Sequence, residues 1–447
     1  MKTPLIVALP SIADQLSITM ADVEWIVTAY TLVIICFILL FGKLGDTIGK
    51  DKIFKFGILV FLSGLCICFL SRSYPMLLFG RIVEGIGAAA TSANSQGIIV
   101  QTFPAQERGK ALGLSGSSVA LGTMVGPSVG GLIVSHFNWN MIFGLSIPFC
   151  IVCFILCMKY LPDMSTGKSE KVDVTGAMLF MILILCLYGG VKLLQNGAGY
   201  YLYCVVLIAV SIVFGVIFAR WEGKHDNAML QLNIFKNKLY AVSVFCAFIS
   251  FLAISGHNFI QPFYLQKVQL LSAAQTGMLM MAYSLTMFVV APFSGQLSDK
   301  IGSEILCFIG LCIVSVALFI LSTLGIGSPI WIFLIGSIMM SFGMAMFQSP
   351  NTSLIMSTVG PKLTGIAGSV NGLARNLGSV FGISLSTVLL YNIMSAQVGF
   401  TVTDFVEGQE LAFVVGMQWV YRSMAMVSLI GALLTGLRWK HSKKEKQ

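Results

Sequence analysis

Long apolar segments recur along the chain, separated by short polar stretches that carry most of its charges. A helix that crosses a membrane needs about 20 mostly apolar residues, and thirteen segments reach or approach that length. The N-terminus differs, because only about ten apolar residues precede the polar, acidic stretch after Ile12. The pattern therefore predicts fourteen membrane helices, with the first apparently truncated at its N-terminus and represented by its outer half. The thirteen full segments span 24–42, 54–71, 75–100, 111–135, 140–160, 173–194, 200–219, 239–263, 274–295, 304–324, 329–350, 364–390 and 413–437.

Composition supports the same class of protein. Hydrophobic residues make up 57% of the 447 positions and charged residues 10%, with a mean hydropathy of +0.89. A soluble domain carries roughly 25% charged residues, so a soluble fold is excluded. The 11 cysteines lie mostly inside apolar segments and form no CxxC pair. We therefore expect no metal site, no cofactor and no enzyme activity, because no nucleophile–base set occurs among so few polar residues.

The charges alternate between the two ends of the predicted helices. Basic residues gather in alternate connections, whereas acidic residues such as Asp14, Asp22, Glu24 and Asp404 occupy the others. Cytoplasmic loops carry the excess of Lys and Arg, so the basic face is predicted to be cytoplasmic. The net charge of +9 then reflects membrane topology rather than nucleic-acid binding. We expect a multi-pass protein of the cell membrane with a cytoplasmic C-terminus. It is expected to be a monomer surrounded by lipid.

An internal repeat divides the chain. TAYTL at 28–32 and GKLGDTIG at 42–49 recur as MAYSL at 281–285 and GQLSDKIG at 295–302, with a constant offset. Such an offset over a helix and its following loop indicates two homologous halves. Six helices per half leave two inserted helices, which gives a 6 + 2 + 6 architecture. The predicted parts are an N-terminal half (1–163), two inserted helices with a linker (164–238), a C-terminal half (239–437) and a basic tail (438–447).

The repeated loop carries a recognisable motif. The stretch from Gly42 to Lys52 resembles the cytoplasmic loop signature of the major facilitator superfamily. Glycines permit a tight loop, and Asp46 at a helix end beside cations can act as a charge latch that breaks when the halves rock. An ordinary solvated charged loop is the alternative. The latch would comprise Gly42, Asp46, Gly49 and Lys50, with Gly295, Asp299 and Gly302 in a second copy that lacks the basic run.

A charged pair lies inside the fourth segment. Arg81 and Glu84, followed by Gly85 and Gly87, resemble the fourth-helix motif of the same superfamily. The two charges are three residues apart and share one helix face. At 1.5 Å per residue from Pro75, Arg81 lies roughly 9 Å into the membrane, where a charge normally faces a cavity. Glu84 is our candidate proton carrier with Arg81 as its modulator, and a static ion pair is the alternative.

The fifth segment contains the stretch GTMVGPSVGG. It is not followed by Lys-Ser or Lys-Thr and does not open after a strand, so it is not a phosphate-binding loop. Small residues let helices touch backbone to backbone, and a proline removes one backbone hydrogen bond. The stretch resembles the fifth-helix motif that marks antiporters of the superfamily, and we expect a hinge and seal within the N-terminal half. Ordinary small-residue packing is the alternative. Its residues are Gly122, Gly126, Pro127, Gly130 and Gly131.

Several further stretches resemble one branch, the fourteen-helix drug:proton antiporters of the QacA/EmrB type. They include VALPSIA at 7–13, WIVTAYTL at 25–32 and GSVNGLARNLGSVFGISL at 368–385. The chain departs from that branch in two places. It has no Asp before the VALP segment, and WNMIF at 139–143 has Asn140 where the branch has arginine.

Few other polar side chains interrupt the apolar segments. Tyr30, His257, Asn258 and Arg375 are candidates for lining a cavity. The alternatives for His257 are a proton relay and, as the favoured interpretation, a hydrogen-bonded histidine near the outer end of its helix. Arg375 can meet an anionic group or pair with helix carbonyls.

These observations predict a secondary active exporter that works by alternating access. Its substrates would be drugs or other lipophilic small molecules, cations among them, with inward-moving protons as the energy source and no ATP site. An exporter of a specific metabolite, lipid or siderophore is the alternative within transport, and there Arg375 and Arg81 would meet an anionic group. A non-transporting sensor or remnant is the rival from another class.

Overall fold

The computed structural model describes residues 2–104, 108–164, 173–196, 198–224, 230, 232–359 and 364–445. Fourteen α-helices occur in these residues, and α2 to α14 each coincide with one predicted apolar segment. The helices are α1 (Lys2–Leu16), α2 (Met20–Ile48), α3 (Lys50–Leu70), α4 (Tyr74–Thr102), α5 (Arg108–His136), α6 (Met141–Tyr160), α7 (Val174–Leu193), α8 (Tyr201–Glu222), α9 (Lys238–Phe263), α10 (Ala273–Ile301), α11 (Ser303–Leu321), α12 (Ile330–Ser357), α13 (Thr364–Val398) and α14 (Glu410–Glu445).

Twelve of the described helices are long and apolar enough to cross a membrane. The others are α1, which has 15 residues where α2 has 29, and α5, which is rich in glycine and serine. A helix satisfies all of its own backbone hydrogen bonds, so apolar helices are one of the few structures that lipid tolerates. Large apolar side chains such as Leu202 and Val205 on α8 are exposed on the outside of the bundle, where lipid would cover them.

The helices pack in two groups. In the N-terminal group, α4 packs on α2 and α3, α3 on α6, and α1 on α5. In the C-terminal group, α13 packs on α9, α11 on α12 and α14, and α10 on α12. The groups meet where α5 packs on α10, α2 on α13, and α1 on α9. Helices α7 and α8 pack on each other, and α7 also contacts α2 and α13.

The internal repeat is visible in the backbone. Thr19 caps α2 with a reciprocal hydrogen bond to Asp22, and Ser272 caps α10 in the same way with Gln275. The helices end at Gly49 and Gly302, whose φ values of 124° and 98° are in the region that favours glycine. Corresponding positions in the two copies are again 253 residues apart. The repeat therefore covers the cap, the helix and its terminal glycine.

Polar contacts join the two groups at one end of the bundle. This end is formed by the α1–α2, α9–α10 and α13–α14 connections, and we call it the outer end, following the predicted orientation. Lys267 donates to Asp14 at 2.6 Å, and these are corresponding positions of the repeat. The Met20 amide donates to Asp404 Oδ1 at 3.0 Å, so the α13–α14 connection covers the start of α2. Burial raises the pKa of the Asp404 carboxyl, partly offset by the amide donors of Phe405 and Met20.

The glycine-rich part of α5 lies at this outer end. A Cβ at Gly130 would lie 2.3 Å from the carbonyl oxygen of Pro4 in α1. A Cβ at Gly131 would lie 2.4 Å from the carbonyl oxygen of Ala273 in α10, and one at Gly277 would lie 2.4 Å from that of Pro127. The expectation that this motif packs within the N-terminal half was therefore incomplete. Its glycines also form a contact between the groups, because only hydrogen side chains allow the α5 and α10 backbones to approach so closely.

We expect Gly131→Ala to destabilise the protein by about 1–3 kcal/mol, because the new methyl group would overlap the Ala273 carbonyl oxygen. Gly122→Ala on the same helix is the matched control, since no described atom lies within 4 Å of its added Cβ. The thermal unfolding midpoint of the purified protein should fall for Gly131→Ala alone. Equal midpoints for the two variants would contradict the close contact between α5 and α10.

Candidate functional site

A cavity of about 150 Å³ lies between the two groups of helices. Helices α1 and α2 form one wall, and α9 and α13 form the other. Its apolar lining is Ile6, Val27, Phe251, Ile254, Phe259 and Ile383, and its polar lining is Thr31, Ser255, Asn258 and Ser379. The outer-end contacts at Asp14, Met20 and Lys267 belong to the same helices as part of this lining, or to the turn that follows them.

The polar groups of the cavity are uncharged. Ser255 donates to Ser379 at 3.0 Å, which links α9 to α13. Asn258 Oδ1 accepts from Gln261 Nε2 at 3.2 Å. Among the described residues, no acidic side chain belongs to the lining. The site therefore offers hydroxyl and amide groups on an apolar, partly aromatic surface.

Arg375 brings a positive charge close to this surface. Its guanidinium lies over the ring of Phe251, 4.4 Å from the centroid, and Phe251 is part of the lining. No carboxylate of the described residues forms a salt bridge with Arg375. The electrostatic environment at this edge of the cavity is therefore positive.

Of the other polar candidates, Asn258 reaches the cavity and His257 points elsewhere. His257 is buried within the C-terminal group, where Nδ1 lies 3.2 Å from the Tyr421 hydroxyl and the ring stacks near Phe333. The guanidinium of Arg81 lies over the ring of Tyr30, with Arg81 Cζ 4.2 Å from the ring centroid. Neither His257 nor Tyr30 is part of the cavity lining.

Arg81 and Glu84 form a fully buried ion pair. Arg81 Nε also donates to the carbonyl oxygen of Ile26 at 2.9 Å, which ties α4 to α2. The backbone of Glu84 packs on α3, where a Cβ at Gly64 would lie 2.5 Å from the Glu84 nitrogen. Arg81 Nη2 and Glu84 Oε1 have no hydrogen-bond partner among the described residues. The pair therefore ties α4 to α2 through Arg81 and retains hydrogen-bonding capacity.

The loop motif lies at the opposite end of the bundle. Asp46 in the last turn of α2 pairs with Lys50 at the start of α3. The Lys50 side chain also lies against α4, because a Cβ at Gly97 would be 2.5 Å from its Cε. Gly42 and Gly45 adjoin α4 too, where Asn94 donates to the Phe41 carbonyl oxygen at 3.1 Å. In the second copy, Gly295 and Gly302 are described, and the side chain of Asp299 lies outside the described residues.

Sequence reasoning missed a second buried ion pair. Glu24 was assigned to the outer, acidic face, but its side chain is fully buried and pairs with Lys192 of α7. Thr387 of α13 donates to the same Glu24 oxygen, Oε2, at 2.8 Å. The available signal was Lys192 itself, a charge within an apolar segment, which by default indicates a functional or paired residue.

A bundle of apolar helices in two repeated groups, with a cavity between them and one end joined, is the architecture of a membrane transporter. A sequence model of the Major Facilitator Superfamily matches residues 1–383 and residues 243–447. The chain belongs to this family, whose members are transporters rather than enzymes.

The relatives have names that refer to different compounds. The riboflavin transporter RibZ of Clostridioides difficile (strain 630) is 31% identical over 435 residues, covering 96% of this chain and 92% of RibZ. The lincomycin resistance protein LmrB of Listeria monocytogenes serovar 1/2a is 27% identical over 445 residues, covering 97% and 92%. The multidrug resistance protein Stp of Mycobacterium tuberculosis is 27% identical over 392 residues, covering 87% and 73%.

Solved structures with the same fold are much more distant in sequence. The POT family transporter PepTSo has a TM-score of 0.68 at 14% identity, covering 98% of this chain and 96% of its own. The human organic anion transporter MFSD10 has a TM-score of 0.61 at 15% identity, covering 92% and 83%. These likenesses establish the fold.

Two ion pairs of the N-terminal group, Arg81–Glu84 and Asp46–Lys50, should differ greatly in their effect on stability. Glu84→Gln leaves the buried Arg81 charge unpaired, and breaking a buried pair costs about 3–5 kcal/mol. Asp46→Asn removes a carboxylate whose side chain is 57% exposed, and exposed pairs contribute about 0–1 kcal/mol. Thermal unfolding in lipid nanodiscs should show a large fall in midpoint for Glu84→Gln and a small one for Asp46→Asn. Similar falls would contradict the buried position of the Arg81–Glu84 pair.

Proposed function

We propose that the protein is a secondary active transporter that moves a small, largely aromatic, neutral or anionic solute by alternating access. The observation that carries this proposal is the uncharged cavity between the two groups of helices, with Arg375 at its edge. The solute would bind there and leave when the outer-end contacts separate. The proposal includes the 6 + 2 + 6 arrangement, with α7 and α8 as the inserted pair.

The size of the cavity supports movement of the groups as part of transport. Pockets for small organic ligands usually measure about 300–1,000 Å³, and this cavity is about 150 Å³. A drug-sized solute therefore needs the walls formed by α2 and α13 to move apart. Because helices of different groups form these walls, a rocking motion would enlarge the cavity while leaving the packing inside each group intact.

The chemistry of the lining favours a neutral or anionic aromatic solute over a cation. Phe251 and Phe259 offer ring faces, and Asn258 and Ser255 offer hydrogen bonds. A cation would meet no acidic side chain in the described lining and would be repelled by Arg375. The similarity to RibZ makes riboflavin the first solute to test.

Export by proton antiport is the energetic part of the proposal. Glu84 is the proposed proton carrier, because it is a membrane-embedded carboxyl with one oxygen free of hydrogen bonds within the described residues. Arg81 would hold the carboxylate form and release it on protonation. The assignment to the fourteen-helix antiporter branch and the roles of Asp46 as latch and Pro127 as hinge belong to this proposal.

A multidrug exporter of lipophilic cations is the second candidate function. The glycine–proline motif of α5 is compatible with it, as it is with the first candidate, because that motif resembles the one that marks antiporters. The similarity to LmrB and Stp, which are named for resistance, is consistent with it.

Transport by proteoliposomes distinguishes the two functions. We expect riboflavin to move against its gradient when a pH gradient is imposed, and to stop when a protonophore is added. Arg375→Gln should raise KM for riboflavin about tenfold or more, because a hydrogen bond to a charged group contributes about 1.5–3 kcal/mol. Glu84→Gln should abolish the dependence on the pH gradient.

Arg422→Gln is the matched control for Arg375→Gln. Arg422 is also a half-buried arginine over an aromatic ring, that of Trp419, but it lies in α14 away from the cavity lining. The KM of the Arg422→Gln variant for riboflavin should equal that of the wild type. The contrary result is that a lipophilic cationic dye is transported, riboflavin is not, and Arg375→Gln leaves dye transport unchanged. That result would contradict the proposed substrate class and favour the second candidate.

A further inference from the structure

Three helices meet at the buried carboxylate of Glu24. Lys192 of α7 pairs with Oε2, and the hydroxyl of Thr387 in α13 donates to the same oxygen at 2.8 Å. Oε1 lies 3.5 Å from the hydroxyl of Tyr188, also in α7. Glu24 thus joins the N-terminal group, the C-terminal group and the α7–α8 pair at one point.

Helix α7 is attached more firmly to α2 than to α13. Tyr188 and Lys192 are four residues apart and share one helix face. Tyr188 donates to the Thr28 hydroxyl of α2 at 3.1 Å, and its ring meets Trp25 of α2 edge-on at 5.4 Å. Together with the Lys192–Glu24 ion pair, these contacts fix α7 to the N-terminal group.

The contacts of this cluster with α13 are weaker. They include the Thr387 hydrogen bond to Glu24, the interaction of the Tyr188 hydroxyl with Ser384, and the ring of Phe381, 6.4 Å from that of Tyr188. Further along α13, Asn392 donates to the Leu194 carbonyl oxygen at 3.4 Å. If the groups separate at the outer end, these are the contacts that break.

The position of the cluster connects it to the outer end. Glu24 lies one helical turn after Met20, whose amide donates to Asp404 of the α13–α14 connection. Burying two charges away from water is costly even when they are paired. Separation of α2 from α13 would admit water to the Glu24–Lys192 pair and recover part of that cost. The pair therefore lowers the free energy needed to open the outer end.

We propose that Glu24, Lys192 and Thr387 form a polar joint that sets the balance between the closed and open outer end, and that α7 moves with the N-terminal group. The three side chains are positioning residues for the transport cycle, and they do not line the cavity. The inference rests on the proposed alternating access. It assigns the inserted helix α7 a part in gating.

The joint predicts opposite effects for single and double neutralisation. Glu24→Gln leaves the Lys192 charge buried and unpaired in the closed state, and Lys192→Met does the same to the Glu24 charge. Either change should favour the open outer end, where water reaches the remaining charge. The double variant buries no charge and should favour the closed state.

Hydrogen–deuterium exchange in nanodiscs measures this balance without a solute. The reporter is the Ala274 amide of α10, which donates to Ser135 of α5 across the groups at 3.0 Å and is remote in sequence from the joint. Its peptide should exchange at least tenfold faster in each single variant and no faster than wild type in the double variant. The control peptide contains Gly49 and Ile53, whose amides bond within the N-terminal group at the opposite end.

Thr387→Val tests the joint while the Glu24–Lys192 ion pair stays intact. It removes the only side-chain donor from α13 to Glu24 among the described contacts, and should speed Ala274 exchange about tenfold while leaving the control peptide unchanged. Thr435→Val is its matched control, because Thr435 is an equally buried threonine whose hydroxyl bonds only within α14. If Glu24→Gln also speeds the control peptide, it has unfolded the protein, and Thr387→Val decides the question.

Unchanged Ala274 exchange in Thr387→Val, or a double variant more open than either single variant, would overturn the proposal. In transport assays, Thr387→Val should change turnover and leave KM unaltered. A loss of packing at the cavity would instead change KM. If no tested solute is transported, the proposed function fails, but the exchange results still decide whether the joint controls the outer end.

Discussion

Charge inside the membrane has to be paired or to face a cavity, and this constraint governs how the helices of this protein meet. An isolated charge at membrane depth is costly, so ionisable side chains there face one another or a cavity. The described residues contain two such pairs with almost no exposure, Arg81–Glu84 and Glu24–Lys192. The first pair ties α4 to α2 within one group of helices. The second ties α7 to α2, and the Thr387 hydrogen bond connects it to α13.

The absence of side chains is as important at the outer end as the presence of charge. Lipid provides little hydrophobic drive for helices to associate, so close packing through small residues has to hold them. Gly131 and Gly277 bring the backbones of α5 and α10 together, and Gly130 does the same for α5 and α1. Earlier in α5, Gly122 has no described neighbour within 4 Å of an added Cβ. One helix therefore has a tightly packed part at the outer end and an open part deeper in the bundle.

Much of the fold could be predicted from sequence because it depends on local patterns. Apolar length identified α2 to α14, and the repeated loop identified two copies whose caps and terminal glycines are 253 residues apart. The partner of a buried charge could not be predicted in this way. Glu24 and Lys192 are 168 residues apart, and no periodicity brings them together. Glu24 also follows closely after the exposed Asp14 and half-buried Asp22, which made it look like another loop acid.

The cavity shows the same limit. Asn258 and Arg375 stood out as polar residues in apolar segments, but their relation to Phe251 and to the opposite wall depends on how two helix groups pack. His257, adjacent to Asn258, faces Tyr421 instead, because successive residues of a helix point in different directions.

The central claim is that the outer end opens and closes during transport, and a reversible cross-link tests it most directly. Ser135→Cys and Ala274→Cys, in a background with all 11 native cysteines replaced, place one thiol on each side of the contact between α5 and α10. The account predicts that oxidation stops transport of the identified solute and that a reducing agent restores it. Transport by the fully cross-linked protein at the rate of the reduced protein would contradict it.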